Sequence, residues 1–259
     1  MTSDPDFVVA IPARHGSTRL PGKPLLPLAG VPMIVHVARR ALRAGAREVV
    51  VATDDQRIVD ALDGSGVAVC LTRADHASGS DRLAEVVGLR AWPEDCIVVN
   101  LQGDEPLAPA SGIRAVAMAL AASPAPMATL ATPLLSTEEL FDPNCVKLVR
   151  RLDGHALYFS RAPVPWARDA LAVDRQRLPP DTSFLRHVGI YAYRAGFLAQ
   201  LARLPRTPLE VAESLEQLRA LEHGHDIAVA IAPEPFPAGV DTPADLVRVK
   251  RILAASADR

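Results

Sequence analysis

The chain is poor in the features that mark several large classes of protein. It has three cysteines in 259 residues, Cys70, Cys96 and Cys145. Their number is odd, their spacing wide and their surroundings mostly apolar, so they read as buried free thiols in a reducing compartment. No paired Cys or His spacing supports a zinc site. The net charge is only −2, which argues against nucleic acid or an anionic membrane as a partner. Residues 115–135 are rich in Ala, Leu and Met, but Ser123, Pro124 and Pro126 interrupt them well short of a membrane span. The start, Met1-Thr-Ser-Asp-Pro-Asp6, lacks the basic residues and apolar stretch of a signal peptide. The expected location is the cytoplasm.

Familiar catalytic fingerprints are also missing. No G-x-x-x-x-G-K-[ST] occurs, which excludes a P-loop NTPase, and no G-x-S-x-G elbow. Gly64-Ser-Gly66 follows a helical stretch and precedes a strand, the wrong order for a dinucleotide fingerprint. What remains is an ordinary soluble composition, 49% apolar and 22% charged, in a chain long enough for one large domain.

The first half alternates short apolar runs with amphipathic stretches. Strands are expected at 7–11, 48–53, 67–71 and 96–101, with helices at about 32–44, 56–62, 81–89 and 109–122. Continuous apolar strands between helices predict an α/β fold with a mostly parallel sheet covered on both faces. Ligands of such sheets bind beyond the carboxyl ends of the strands, so the loops at 12–24, 72–80 and 102–106 are expected to open on one edge. The second half differs. A strand at 127–134 leads to a hairpin, 146–152 with 155–160, turning at Asp153-Gly154. Four prolines in 161–183 predict an irregular arm. Strands at 188–193 and 227–231 follow, with a helix from Thr207 to about Glu222 and a terminal helix at 243–254. Thr207-Pro-Leu-Glu210 and Thr242-Pro-Ala-Asp245 both carry helix-start chemistry. The shift near 145 reads as an antiparallel, Pro-rich section added to one core.

The loop Ile11-Pro-Ala-Arg-His-Gly-Ser-Thr-Arg-Leu-Pro-Gly-Lys-Pro24 is the strongest local signal. Arg14, Arg19 and Lys23 are interleaved with glycine and hydroxyl residues and bracketed by prolines, between a strand and a helix. Such a loop suits a polyphosphate, because small residues let backbone N–H groups approach and the cations neutralise the anion. Asp104, in Gln102-Gly-Asp-Glu-Pro106, is aimed over the same edge. Asp241, in Gly239-Val-Asp-Thr-Pro243, is left for the site if Thr242 caps the terminal helix. Two such carboxylates beside a triphosphate would hold Mg²⁺. Glu105 reads as a solvated group or a support for Asp104. In the loop Thr72-Arg-Ala-Asp-His-Ala-Ser-Gly-Ser-Asp-Arg82, Ser78 and Gly79 offer contacts to a base or ribose, Arg73 to nucleotide, and Ser80 reads as an N-cap. Arg161 and the pair Arg186-His187, opening the strand that contains Tyr191, suit a substrate carboxylate, with surface cations at strand ends the equal alternative. Glu216 and Gln217 suit sugar hydroxyls, or form an ordinary polar helix face.

Taken in order, these segments resemble the 3-deoxy-manno-octulosonate cytidylyltransferase family, the CMP-Kdo synthetases. The resemblance is carried by residues 11–24, Thr72 to Gly79, Asn100-Leu-Gln-Gly-Asp-Glu-Pro106, Tyr158-Phe-Ser-Arg161, Arg186-His-Val-Gly-Ile-Tyr191, Leu215-Glu-Gln-Leu-Arg219 and Gly239 to Pro243. It covers about residues 7–250. It implies a single nucleotidyltransferase (Rossmann-like) domain over 1–259, with a nucleotide-binding half at about 1–135 and a sugar-binding and dimer section at about 136–259. It also implies a homodimer that transfers CMP from CTP to the acid sugar Kdo for lipopolysaccharide synthesis. By position, Arg14, Arg19 and Lys23 would bind the triphosphate, with Arg73, Ser78 and Gly79 around the cytidine. Asp104 and Asp241 would hold Mg²⁺. Gln102, Arg161, His187, Tyr191, Glu216 and Gln217 would lie at the sugar, and Arg14, Lys23, Asp104 and Asp241 would carry the catalysis. His15-Gly16 and Ser80-Asp81 depart from the usual pattern while keeping size or charge, and the 162–183 arm matches poorly.

Overall fold

Strands that are apolar at every position need cover on both faces, and the computed structural model supplies it. Residues 5–16 and 20–257 are described. In chain order, β1 (Phe7–Pro12) precedes a short ladder of β2 (Pro27–Leu28) with β3 (Val31–Pro32), then α1 (Met33–Arg43). Next come β4 (Glu48–Thr53), α2 (Gln56–Ala61), β5 (Ala68–Leu71), α3 (Gly79–Leu89), β6 (Ile97–Asn100), α4 (Ala110–Ala121), β7 (Met127–Pro133) and α5 (Thr137–Phe141). The second half holds β8 (Lys147–Arg150), β9 (Ala156–Ser160), α6 (Arg168–Val173), β10 (Leu185–Arg194), α7 (Ala195–Leu201), α8 (Pro208–Glu213), α9 (Gln217–Glu222), β11 (Ile227–Ile231) and α10 (Pro243–Ala257).

The sheet runs β11-β7-β10-β6-β1-β4-β5, with the β8–β9 hairpin attached through β10. Along this path β10 alone opposes its neighbours; it is antiparallel to both β6 and β7, while the remaining pairs are parallel. Because of that reversal the N-terminal end of β10, with Arg186 and His187, lies at the edge where β1, β5, β6 and β11 end. The alternation of side chains divides the core in two. Val9, Ile11, Val51 and Val99 face Ile34, Val37, Ile113 and Val116 of α1 and α4. Val8, Ala10, Val50 and Val98 face Leu83, Val86, Leu198 and Leu201 of α3 and α7. Each fully buried Val, Leu or Ile contributes about 1.5–3 kcal/mol, so a one-residue slip of any central strand would be costly.

The helix expected from Thr207 to Glu222 is two helices. Ser214 takes the left-handed region (φ 52°) between α8 and α9. The break lets Glu213 turn onto the β9 end, accepting from Ser160 Oγ at 2.6 Å and the Arg161 N–H at 2.8 Å. It also turns Glu216 towards Ser78 and Ser80. Tertiary hydrogen bonds outweigh helix propensity here. Glu210 does reach back to the Thr207 N–H (3.3 Å), yet it is more than a cap, since its carboxylate is buried against Arg219 at 2.5 and 2.8 Å. The Pro-rich arm is less irregular than expected: it contains α6, whose Leu171 is buried with Leu134, Leu140 and Phe184. No helix among the described residues is long and apolar enough to cross a membrane.

Candidate active site

The three loops do open on one edge, and they enclose a cavity of about 600 Å³ lined by Arg14, Lys23, His76, Ser78, Gly79, Arg82, Gln102, Asp104 and Asp241. How the loops reach each other follows from small residues. Gly103 lies so close to the β1 loop that a Cβ there would stand 2.8 Å from the Pro12 carbonyl oxygen. Gly239 plays the same part for the segment after β11, where a Cβ would meet the Asp104 carbonyl oxygen at 2.9 Å. Val240 N–H then donates to that carbonyl at 2.9 Å, which delivers Asp241 to the site.

At one end Lys23 gathers both carboxylates. Its ammonium donates to Asp104 Oδ2 at 2.6 Å, to Asp241 Oδ1 at 3.2 Å and to the Val240 carbonyl at 3.0 Å. Gly22, in the left-handed region (φ 66°), starts the 3-10 turn Lys23–Leu25 that aims this side chain. Burial works to lower the Lys23 pKa, but Asp104 and then Asp241 overcome it, so the ammonium is held charged above its ordinary range. As expected, Thr242 supplies the cap of the terminal helix: its Oγ1 accepts from the Asp245 N–H at 3.2 Å, and Asp245 Oδ2 accepts from the Thr242 N–H at 3.0 Å and the Asp241 N–H at 3.3 Å. Glu105 is half-buried rather than a solvated group. Burial, with the charges of Asp104 and Asp241, pushes its carboxyl up to about 8, and its Oε2 is buried without a hydrogen-bond partner among the described residues. Arg14 is exposed at the cavity mouth, and Arg19 lies outside the described residues.

At the other end Ser78, not Ser80, caps α3. It forms a capping box with Asp81, accepting from the Asp81 N–H while Asp81 accepts from the Ser78 N–H, both at 3.1 Å. Ser80 is buried and, with Ser78, bonds Glu216, each at 3.3 Å. Burial raises the Glu216 pKa. Gln102 lines the cavity and donates to Asn100 Oδ1 at 3.2 Å. Tyr191 stands opposite Asn100 in the β10–β6 register, and its ring lies 5.4 Å from that of His187, which in turn lies 5.1 Å from Phe159. Burial pushes the His187 imidazole down to about 3, and its Nε2 is 3.0 Å from Thr129 Oγ1. Gln217 is buried, and its amide nitrogen has no hydrogen-bond partner among the described residues.

Of the expected sugar-site residues only Gln102 lines the cavity; His187, Tyr191, Glu216 and Gln217 stand behind its lining, and Arg73 and Arg161 are held elsewhere. Arg73 is exposed in a neighbouring depression and paired with Asp75 at 3.2 Å. Arg161 spends its guanidinium on the carbonyls of Glu213 (2.6 Å) and Pro143 (2.8 Å). Conversely, His76 and Arg82 line the cavity although their sequence context says little. Arg82 is 3% exposed and donates from Nη1 to Thr72 Oγ1 at 2.7 Å, with Asp54 at 3.4 Å. Its place on the α3 face of Ser78, four residues on, was the available signal. Asp104 and Asp241 offer hard oxygen donors that already converge on one cation, which fits Mg²⁺. Among the described residues no group of three or more His, Cys, Asp or Glu side chains could hold a metal alone, a donor set that would leave phosphate oxygens and water to complete the shell.

A mostly parallel sheet whose carboxyl edge carries a cationic loop and paired carboxylates defines a nucleotidyltransferase, and a chain similar in fold is the solved CMP:2-keto-3-deoxy-manno-octonic acid synthetase complexed with CTP. That structure aligns with a TM-score of 0.87 at 43% identity, covering 97% of this chain and 100% of that one. The chain belongs to the cytidylyltransferase family, whose pattern matches residues 8–227. It is 61% identical over 255 residues to the 3-deoxy-manno-octulosonate cytidylyltransferase of Stenotrophomonas maltophilia (strain K279a), covering 98% of this chain and 99% of that protein. It is likewise 61% identical over 251 residues to the enzyme of that name from Xanthomonas campestris pv. campestris (strain B100), covering 96% and 89%.

Proposed function

We propose that this protein is a 3-deoxy-manno-octulosonate cytidylyltransferase, converting CTP and Kdo to CMP-Kdo and diphosphate for lipopolysaccharide synthesis. The observation that carries this reading is the convergence of Lys23, Asp104 and Asp241 at one end of a cavity whose other end is the capped N-terminus of α3. The anomeric hydroxyl oxygen of the sugar forms a bond to the α-phosphorus. The bond from that phosphorus to the bridging oxygen breaks, diphosphate leaves, and the hydroxyl proton passes to water. No covalent enzyme intermediate is required, so positioning and charge neutralisation supply the rate. Arg14 and Lys23 neutralise the departing diphosphate, and Ser78 and Gly79 receive the nucleoside. Gln102, with Glu216 behind Ser78, faces the sugar. Asp104 and Asp241 would hold Mg²⁺, which when bound polarises the α-phosphate and lowers the pKa of the attacking hydroxyl.

The protein is further proposed to work as a homodimer in the cytoplasm, which sedimentation and cell fractionation test. The reaction is tested by diphosphate release with CTP and Mg²⁺ across a panel of acid sugars that includes Kdo and its 8-amino analogue. Release that requires Kdo is expected. Release without sugar, or none with any sugar, refutes the reading.

A further inference from the structure

The loop that hands Ser78 and Gly79 to the cavity is clamped by the helix it leads into. Ser78, Arg82 and Glu85 are spaced by four and three residues, which puts them on one face of α3. Arg82 holds the start of the loop through Thr72 Oγ1. Glu85 holds the middle: its Oε2 accepts from the Arg73 N–H at 3.0 Å and stands 2.5 Å from His76 Nε2. A ring nitrogen facing a carboxylate so closely carries the proton, so His76 donates. The His76 side chain is 6% exposed and lines the cavity, with Ala77 alone between it and the Ser78 cap. Burial works to raise the Glu85 pKa, yet His76 and the Arg73 N–H bring it below the ordinary carboxylate range.

We infer that Glu85 is a positioning residue for the nucleotide: through His76 it fixes the backbone that presents Ser78 and Gly79. The inference rests on the proposed use of those two residues by CTP. Glu85 does not line the cavity, and the Lys23–Asp104–Asp241 end is built from other loops, so its loss should weaken CTP binding without slowing the transfer step.

The test uses the full chain, with Glu85→Gln and Glu85→Ala beside the wild type, and with His76→Gln beside His76→Ala. Both the KM for CTP and its Kd by calorimetry are measured. Glu85→Gln is expected to raise KM and Kd for CTP about ten-fold, the scale of one charge-assisted hydrogen bond. Its kcat is expected to stay within about two-fold, and the KM for the sugar to stay unchanged. His76→Gln, whose amide still donates, should bind CTP more tightly than His76→Ala. An unchanged CTP Kd in both Glu85 variants overturns the inference. So does an equal loss in kcat, CTP KM and sugar KM, which marks a merely structural residue. Equal Kd values for the two His76 variants overturn the route through His76. A wild type that binds CTP yet releases no diphosphate refutes the reaction instead, and leaves the Kd comparison as the readout.

Discussion

Replacing Lys23 by Met keeps the methylene stem and removes the one ammonium that joins Asp104 to Asp241. The side chain of Lys23 is 16% exposed and that of Asp104 28%. At 2.6 Å and an effective dielectric near 20, their attraction is about 6 kcal/mol before desolvation is charged against it. Net of desolvation, a charged hydrogen bond of this kind is worth about 1.5–3 kcal/mol. The Asp241 arm adds little, because that carboxylate is 54% exposed. Lys23→Met should therefore lower Tm by about 3–6 °C for a chain of this size. In the proposed reaction the same ammonium neutralises the leaving diphosphate, so kcat should fall about 10²–10³-fold, with CTP affinity reduced less. Thermal unfolding by circular dichroism and a coupled diphosphate assay measure the two effects on one preparation. A kcat within about three-fold of wild type, at the expected loss of Tm, would refute the catalytic part. An unchanged Tm would refute the energetic part.

Asp104→Asn should abolish turnover while lowering Tm by less than Lys23→Met does, because the amide oxygen still accepts from Lys23; near-normal diphosphate release from a folded variant would remove Asp104 from the proposed metal site. Arg219→Met leaves the buried Glu210 with only the exposed Arg206, at 3.4 Å, and the Thr207 N–H, and should cost about 3 kcal/mol in urea unfolding. The double variant with Glu210→Leu should recover most of that loss, and no recovery would show that the pair is not the cause. For His187, burial puts the folded pKa at about 3 against an ordinary value of 6.5. Between those values the unfolded chain binds a proton the folded chain refuses, so stability falls as pH falls below about 6.5. The stability advantage of wild type over His187→Gln should shrink by about 1–2 kcal/mol between pH 7.5 and pH 5, and a constant difference would contradict the buried neutral imidazole.

The sequence alone determined the layered architecture and the cationic loop between β1 and α1. Phe7–Pro12, Glu48–Thr53 and Ile97–Asn100 are apolar at nearly every position, and only a sheet covered on both faces satisfies such strands. From that, the common edge for the loops follows, as does the meeting of Lys23, Asp104 and Asp241 in one place. That Gly103 and Gly239 let backbones meet at the Pro12 and Asp104 carbonyls emerged only in the fold. Only the tertiary structure decided the reversal of β10, because strand order is set by packing between residues far apart in the chain. The same holds for the break at Ser214, where Glu213 and Glu216 gain partners on β9 and α3, and for the fates of Arg73 and Arg161. A long cation's direction is chosen by whichever acceptor lies nearest in space. For Arg73 that was Asp75, two residues along, and for Arg161 it was carbonyls of Pro143 and Glu213, 18 and 52 residues away. Periodicity and composition constrain each element's burial, but the contacts between elements are a property of the assembled fold.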